Sequence, residues 1–185
     1  MNAVESIEQA EQLRRRGDEA GALDAFARAA ALARDVFDPA TEARGMLGVG
    51  QMRVLLDDSR GACEAFEEAV ARAVEGGLPD VEADAWLGFA GAAFDGGKSK
   101  DGHDALLEAM ALSRTLADEA PDDRARKERL ARTIRIYGEH LGVLGSDADA
   151  KQALELARIM YSDLGDQEFA RGIQEEIQKL RDWAR

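Results

Sequence analysis

Small and large apolar residues recur along the chain at the spacing expected of helices that bury one face. Ala22, Phe26 and Ala29 share a face because positions four and seven residues apart lie on the same side of a helix. The same three positions recur at steps of 40, 41 and 47 residues, which gives the columns Ala22, Ala62, His103 and Ala150; Phe26, Phe66, Leu107 and Leu154; and Ala29, Ala69, Met110 and Ala157. No segment alternates with the period of two that is typical of a half-buried strand. The pattern predicts an all-α chain with an internal repeat.

A small residue stands twelve positions before each repeated set, at Ala10, Gly50, Gly91 and Gly138. Small residues opposite large ones allow two helix axes to approach to about 8–10 Å or less. The pattern therefore predicts four hairpins, in each of which a first helix with the small residue packs antiparallel to a second helix with the columns.

Capping residues and prolines predict where the helices begin. Asp18, Asp58, Ser99 and Ser146 are predicted N-caps of the second helices. Pro39, Pro79 and Pro121 fall between hairpins, where the missing N–H of a first-turn proline is harmless. The predicted helices cover roughly 4–16, 19–35, 40–56, 59–75, 80–95, 101–118, 122–143 and 147–164, and the longer final step is assigned to the first helix of the fourth hairpin.

The C-terminal segment predicts a ninth helix. Phe169, Ile173, Ile177, Leu180 and Ala184 fall on one of its faces. One interpretation is a helix that caps the last exposed apolar surface of the array. The alternative is that this face, together with Trp183, forms a homodimer seam.

The order small residue, turn, Gly or Asp, Ala, Phe, Ala resembles the tetratricopeptide repeat, whose consensus has a small residue at position 8 and Ala, an aromatic residue and Ala at positions 20, 24 and 27. The period differs from the usual 34 residues, and the Trp and Tyr of the family's first helix are largely missing. The resemblance implies one domain over residues 1–185, a right-handed superhelical array of antiparallel helix hairpins (an α-solenoid). Its four repeats would cover about 3–36, 39–76, 79–119 and 121–165, followed by a capping helix at 167–184.

The resemblance also implies a concave groove lined by positions 2, 5, 9, 12 and 13 of each first helix. The candidate partner-binding residues are Arg14, Arg15, Arg44, Leu47, Gln51, Val54, Leu55, Arg132, Arg135 and Glu139. The corresponding positions of the third repeat are Ala85, Gly88, Ala92, Asp95 and Gly96. Five arginines would face the groove, and arginine is well suited to bidentate capture of carboxylates. The alternative is that these arginines pair internally with Glu11, Glu139 and Asp95.

Charge narrows the class of partner. The net charge is −13 and the isoelectric point about 4.6, which argues against nucleic-acid binding because that needs a basic surface. Residues 126–185 carry 11 Lys/Arg and 11 Asp/Glu, so the acidic excess lies in residues 1–125. No apolar run is long enough for a membrane span, and the N-terminus lacks the pattern of a signal peptide. The expectation is a cytoplasmic protein.

The chain lacks the motifs of an enzyme or a metal protein. Gly97-Lys98-Ser99 is not a phosphate loop, because Ala92 replaces the first glycine and the preceding segment is helical. His103 and His140 have no partner at zinc-ligand spacing. The single cysteine, Cys63, is predicted to act as a small apolar residue. We therefore expect no catalysis, no cofactor and no metal.

These observations predict a protein–protein interaction module whose groove binds a peptide with an acidic segment. Two alternatives remain open: a regulatory sensor whose ligand changes the curvature of the array, and a self-assembling scaffold that uses its terminal helices.

Overall fold

The computed structural model describes residues 2–183, with side chains over residues 2–179. These residues form nine helices and no strand, which confirms the all-α prediction. The helices are α1 (Ala3–Arg15), α2 (Glu19–Asp35), α3 (Pro39–Leu55), α4 (Ser59–Glu75), α5 (Pro79–Asp95), α6 (Ser99–Glu119), α7 (Arg124–Val143), α8 (Asp147–Asp163) and α9 (Gln167–Trp183).

Three-residue turns with one left-handed residue connect most of these helices. From α2 to α6 a helix begins at every twentieth residue. The left-handed residues follow the same interval at Gly17, Phe37, Asp57, Gly77 and Gly97, with φ between +57° and +75°. Backbone N–H groups of each turn bond to the last carbonyls of the preceding helix, a common way to end a helix. One helix with its turn spans twenty residues, so a hairpin of two helices spans forty, which explains the forty-residue period.

The predicted starts of α2, α3, α4 and α5 are confirmed to within one residue. The carboxylates of Asp18 and Asp58 accept hydrogen bonds from the N–H groups of Gly21 and Gly61, at 3.0 and 2.9 Å. Pro39 and Pro79 are the first residues of α3 and α5.

One of the predicted proline starts is wrong. Pro121 lies in the connection before α7, which begins at Arg124 with Asp123 as its N-cap. The Asp123 carboxylate accepts from the Arg126 N–H at 3.1 Å. The start of α7 is therefore set by the Asp123 cap and not by Pro121.

The two helices of a hairpin meet where a small residue faces a large one. A Cβ added to Gly50 would lie 2.6 Å from the Phe66 ring, and one added to Gly138 would lie 2.9 Å from Leu154. Ala22, Ala62 and Ala150 are fully buried, so the predicted small-residue column is confirmed at these positions.

Successive hairpins of the N-terminal part meet through a second glycine contact. Gly48 of α3 leaves no room for a Cβ beside Phe26 of α2, and Gly88 of α5 leaves none beside Phe66 of α4. Phe66 is therefore enclosed by Gly50 of its own hairpin and Gly88 of the next one. The first helices also touch one another, since α3 contacts both α1 and α5.

The predicted register of α6 is wrong by one residue. Leu107 is 41% exposed and Met110 is only partly buried, whereas Leu106 and Ala109 are fully buried. The helix begins at Ser99, so Ser99 is not the N-cap, and the Lys98 carbonyl accepts the first helical hydrogen bond. The steps between hairpins are therefore 40, 40 and 48.

Two glycines explain this error. A Cβ at Gly102 would lie 2.5 Å from the Phe94 ring, so Gly102 itself is the small residue of the contact. Gly91 faces open space, and the neighbouring Ala90 is fully buried in its place. The lining positions predicted for the third repeat shift as well.

The shift in register also alters the predicted groove. Ala85 and Ala92, which were predicted to line it, are buried and cannot do so.

The sequence predicted that all the extra residues of the last step lie in α7, and this prediction is wrong. The helix α6 has 21 residues and α7 has 20, whereas α2, α3, α4, α5 and α8 have 17 each. The insertion therefore lengthens both helices as well as the connection between them.

Contacts divide the chain into two compact units, unit 1 (Met1–Ala109) and unit 2 (Met110–Arg185). In unit 1, Phe26, Val49 and Met52 centre an apolar cluster that involves the first four helices. In unit 2, Ile173 and Ile177 of α9 are buried with Ile134 and Leu154. The helix α9 thus covers the end of unit 2, as the capping interpretation requires.

The dimer interpretation of α9 stays a prediction. The side chains of Leu180 and Trp183 lie outside the described part of the structure, and Ala184 lies outside it altogether. A single array over residues 1–185 and its right-handed superhelical sense also stay predictions.

Candidate functional site

Seven of the predicted groove residues lie on two neighbouring helices of unit 1. Arg14 and Arg15 form the last turn of α1, and the other five follow one flank of α3. The helices α1 and α3 are in contact. The structure therefore brings together Arg14, Arg15, Arg44, Leu47, Gln51, Val54 and Leu55 on adjoining surfaces, which we call the α1–α3 face.

Apolar side chains of the α1–α3 face are exposed to solvent. Val54 is 36% exposed and Leu55 is 55% exposed, and the next residue, Leu56, is 43% exposed. Leu47 and Gln51 are partly buried beside them. A run of three exposed apolar residues is typical of an interaction surface, whereas single exposed apolar residues are common on any protein.

The arginines of the α1–α3 face differ in their partners. The Arg14 guanidinium lies 2.6 Å from the Glu11 carboxylate, so internal pairing is confirmed for this residue. Arg15 and Arg44 are exposed, and no described carboxylate lies within ion-pair distance of either. The pKa of the nearby Asp38 is nevertheless lowered, mainly by the hydrogen bonds that it accepts at the start of α3 and also by the charge of Arg44. Arginines without a partner are the ones that could receive a carboxylate from another molecule.

The remaining predicted groove residues, Arg132, Arg135 and Glu139, lie in unit 2 on α7. The Arg135 guanidinium pairs with Glu139 one turn later on the same helix and lies 3.8 Å from Glu176 of α9. It also lies 5.6 Å from the centre of the Phe169 ring. Arg135 therefore helps to hold α9, which confirms internal pairing here too.

Burial and charge act on the acidic groups around Arg135. Burial raises the pKa of Glu139, Arg135 opposes this rise, and the neighbouring Glu176 adds to it. Burial likewise raises the pKa of Tyr161, against the charges of Arg135 and Arg132. The Phe169 ring stacks on that tyrosine at 4.8 Å between centroids.

Sequence reasoning missed Phe169 and Glu176 as partners of Arg135. A cavity of about 480 Å³ adjoins these three side chains. The missed signal is the twenty-residue interval, because a helix that starts at Gln167 follows α8 at the same interval as the earlier helices. That interval predicts a further first helix, which would lie beside α7.

The glycine motifs have structural roles. Gly97 adopts φ +73° in the turn before α6, and the carbonyl of Lys98 accepts from Gly102 N–H at 3.0 Å. Gly48 and Gly50 lie inside α3 against the two phenylalanines. Neither segment has the strand–loop–helix context of a nucleotide site.

The thiol and the histidines are also placed inside helices. Cys63 is 5% exposed, and burial raises the pKa of its thiol, which lowers its reactivity. His140 is buried and His103 partly buried. Within the described residues, no three His, Cys, Asp or Glu side chains are grouped closely enough to hold a metal ion.

Helices that span a membrane are both long and apolar. In the part of the chain that the structure describes, none is both long and apolar enough to cross a bilayer.

Solved structures of helical repeat proteins resemble this one. BtubC from P. vanneervenii matches with a TM-score of 0.67 and 16% identity, over 95% of this chain and 78% of that one. A Podosopora anserina protein described as a kinesin light chain with nearly identical TPR-like repeats matches with a TM-score of 0.56 and 15% identity, over 98% and 95%. The fold is tetratricopeptide-like. No protein-family model and no curated protein matches the sequence.

A further match covers less than half of the other chain. Aspartyl phosphate phosphatase F from Bacillus subtilis matches with a TM-score of 0.56 and 16% identity, over 93% of this chain but 47% of that one. At such identities the matches concern the fold. The tetratricopeptide-like hairpins place the α1–α3 face on consecutive first helices, and its residues decide what it can bind.

Proposed function

We propose that this protein is an interaction module whose α1–α3 face binds a peptide segment with acidic and apolar side chains. The observation that carries the proposal is that Arg15 and Arg44, two exposed arginines without a described ion pair, share this face with the exposed Val54 and Leu55. Arg44 lies about 15 Å from Val54 along α3, a separation that a bound peptide segment can span. Adjacent helices with an apolar surface and a few polar anchors suit an extended or helical peptide.

The proposed binding site does not include the arginines of unit 2. Arg135 is occupied by Glu139, Glu176 and the Phe169 ring. A charge reversal at Arg135 would disturb α9, and a loss of binding in that variant would be ambiguous. No described ion pair joins Arg15 or Arg44 to another helix, so their replacement tests the surface itself. A melting curve checks that charge reversal at Arg44 leaves the nearby Asp38 cap of α3 intact.

The test uses a display library of random peptides selected on the immobilised protein. The enriched peptides are expected to combine Asp or Glu with Leu, Ile or Phe. Their binding should weaken as salt rises from about 0.05 M to about 0.5 M, because exposed charge pairs are screened over roughly 4–14 Å in that range. A double variant, Arg15→Glu with Arg44→Glu, should lose at least about tenfold in affinity for these peptides, a loss typical of two charge-assisted contacts.

The matched control is Arg28→Glu with Arg114→Glu, which changes the net charge equally on the exposed surfaces of α2 and α6, at two arginines without a described ion pair. This variant should bind the peptides like the unaltered protein, apart from a small effect of net charge. Equal losses in both double variants, or a library that yields no binding peptide, would contradict the proposal.

A further inference from the structure

Phe37 is the most exposed of the large apolar residues that the structure describes. It lies in the turn between α2 and α3 and is 92% exposed, and the preceding Val36 is 70% exposed. Phe37 also has a φ of +57°, in the left-handed region. Most turn positions of this kind in the chain are occupied by glycine, such as Gly17 and Gly77.

Neither stability nor packing accounts for a phenylalanine at this position. The left-handed conformation is unfavourable for a residue with a Cβ, and most of all for a bulky one. The aromatic ring buries almost none of its surface in return. Strain in a residue that a glycine could replace is a feature of functional positions, and a protruding aromatic side chain is suited to filling a pocket.

Unit 2 contains a pocket that would accept such a ring. A cavity of about 390 Å³ lies where α6, α7 and α8 come together. Its lining combines three charged residues, Asp118, Lys127 and Asp163, with the apolar Ala117, Pro121, Leu130, Met160 and Leu164. An apolar cavity of about 150 Å³ is enough to hold benzene, so the volume of this one is sufficient for a phenyl ring.

We propose that the protein self-associates head to tail, with Phe37 of one copy inserted into this cavity of a second copy. A protruding side chain and a pocket at different places on one chain form a heterologous contact. Charge favours this pairing over one between two turns. Residues 1–109 carry 11 Lys/Arg and 22 Asp/Glu, whereas residues 110–185 carry 13 and 15. Two copies of unit 1 therefore repel each other far more than unit 1 repels unit 2.

The first test measures the mass of the protein in solution by sedimentation equilibrium. Between about 1 µM and about 1 mM, the range of weak association, the average mass should rise from 20.0 kDa towards that of two or more chains. The variant Phe37→Gly should stay at 20.0 kDa throughout. Its melting temperature should not fall, because glycine adopts the left-handed conformation without strain.

The matched control is Asp57→Gly. Asp57 has a φ of +58° in the turn between α3 and α4, so this change also puts glycine at a left-handed turn position and leaves Phe37 in place, with a smaller relief of strain because aspartate tolerates that conformation better than phenylalanine. It should associate like the unaltered protein. A monomeric unaltered protein, or a Phe37→Gly variant that associates as strongly, would overturn the proposal.

The second test identifies the receiving surface. Leu164→Glu places a charge in the cavity and should by itself stay monomeric. A mixture of Phe37→Gly and Leu164→Glu should form a one-to-one complex, since one chain supplies the intact cavity and the other the intact phenylalanine. Pro121→Glu, at an exposed position, replaces Leu164→Glu if the latter melts at a lower temperature. Failure of the folded pair to associate would exclude the cavity as the receptor.

Discussion

At the scale of single residues, the packing of unit 1 depends on glycines, which have no side chain and let a neighbouring helix approach closely. A glycine inside a helix costs about 1 kcal/mol relative to alanine. Gly48, Gly50 and Gly88 nevertheless occupy helix interiors because each lies against a phenylalanine ring. The helices approach one another at the glycines, and the burial of Phe26 and Phe66 offsets the cost of the flexible backbone.

The α5 helix contains a matched pair of glycines that tests this account. Gly88→Ala would place a Cβ 2.5 Å from the Phe66 ring. Because that ring is buried and cannot move aside, the change should cost roughly 1–3 kcal/mol of unfolding free energy. Gly91→Ala faces open space and should stabilise by about 0.5–1 kcal/mol through its higher helix propensity. Urea unfolding of both variants measures the difference, and the same sign for both would contradict the packing described here.

Two adjacent leucines test the corrected register of α6. Leu106 is fully buried and Leu107 is 41% exposed. Leu106→Ala should therefore cost about 2–5 kcal/mol, and Leu107→Ala less than about 1 kcal/mol. Urea unfolding of both variants gives the two values, and a larger loss at Leu107 would restore the register that the repeat columns predicted.

At the scale of elements, α9 is held differently from the earlier helices. The junctions from α2 to α3 and from α4 to α5 are contacts of phenylalanine with glycine. The corresponding junction of α8 with α9 instead stacks Tyr161 on Phe169. Arg135 of α7 adds a charged contact between Glu139 and Glu176. A partly buried cluster with two carboxylates and one guanidinium leaves one negative charge poorly compensated, so this junction depends on pH.

Glu139→Gln tests that dependence. The pKa of Glu139 is raised in the folded protein, so its protonated form favours folding. The resulting stabilisation is fully present below the pKa of the unfolded chain, and it is lost as pH rises through the raised folded value. The glutamine variant should therefore melt at a higher temperature than the unaltered protein at pH 7, and the difference should shrink towards pH 4. A variant that melts lower at pH 7 would show that the pairing of Glu139 with Arg135 outweighs the cost of its burial.

At the scale of the whole molecule, the free energy of unfolding should be a sum of local contributions from neighbouring helices. In unit 1 the helices α1 to α5 pack on their neighbours in sequence, and α3 also contacts α1 and α5. In such a repeat protein, stability is close to a sum of hairpin and interface contributions, and a defect affects its surroundings first. The array is therefore expected to open in segments rather than all at once.

Hydrogen exchange of a core variant measures this locality. Phe66→Ala should cost about 3–5 kcal/mol where the ring was buried, because it empties the space between Gly50 and Gly88. Amide exchange should accelerate most in α3, α4 and α5, and much less in α8 and α9. Equal acceleration in α8 would instead mean that the whole chain unfolds as one unit.

The sequence by itself determined the elements and most of their pairing. Helical periodicity placed Ala22, Phe26 and Ala62 in the core, and capping chemistry placed the starts of α2, α3 and α4, because these are local properties of neighbouring residues. It could not decide between Gly102 and His103 as the contact residue of α6, since that depends on where the Phe94 ring lies. Nor could it show that Arg135 meets Glu176 and Phe169, more than thirty residues away. The groove arginines were identifiable from the sequence, but whether each one faces a carboxylate of its own chain or the solvent was decided only by the tertiary structure, because ion pairing depends on distances that no local pattern encodes.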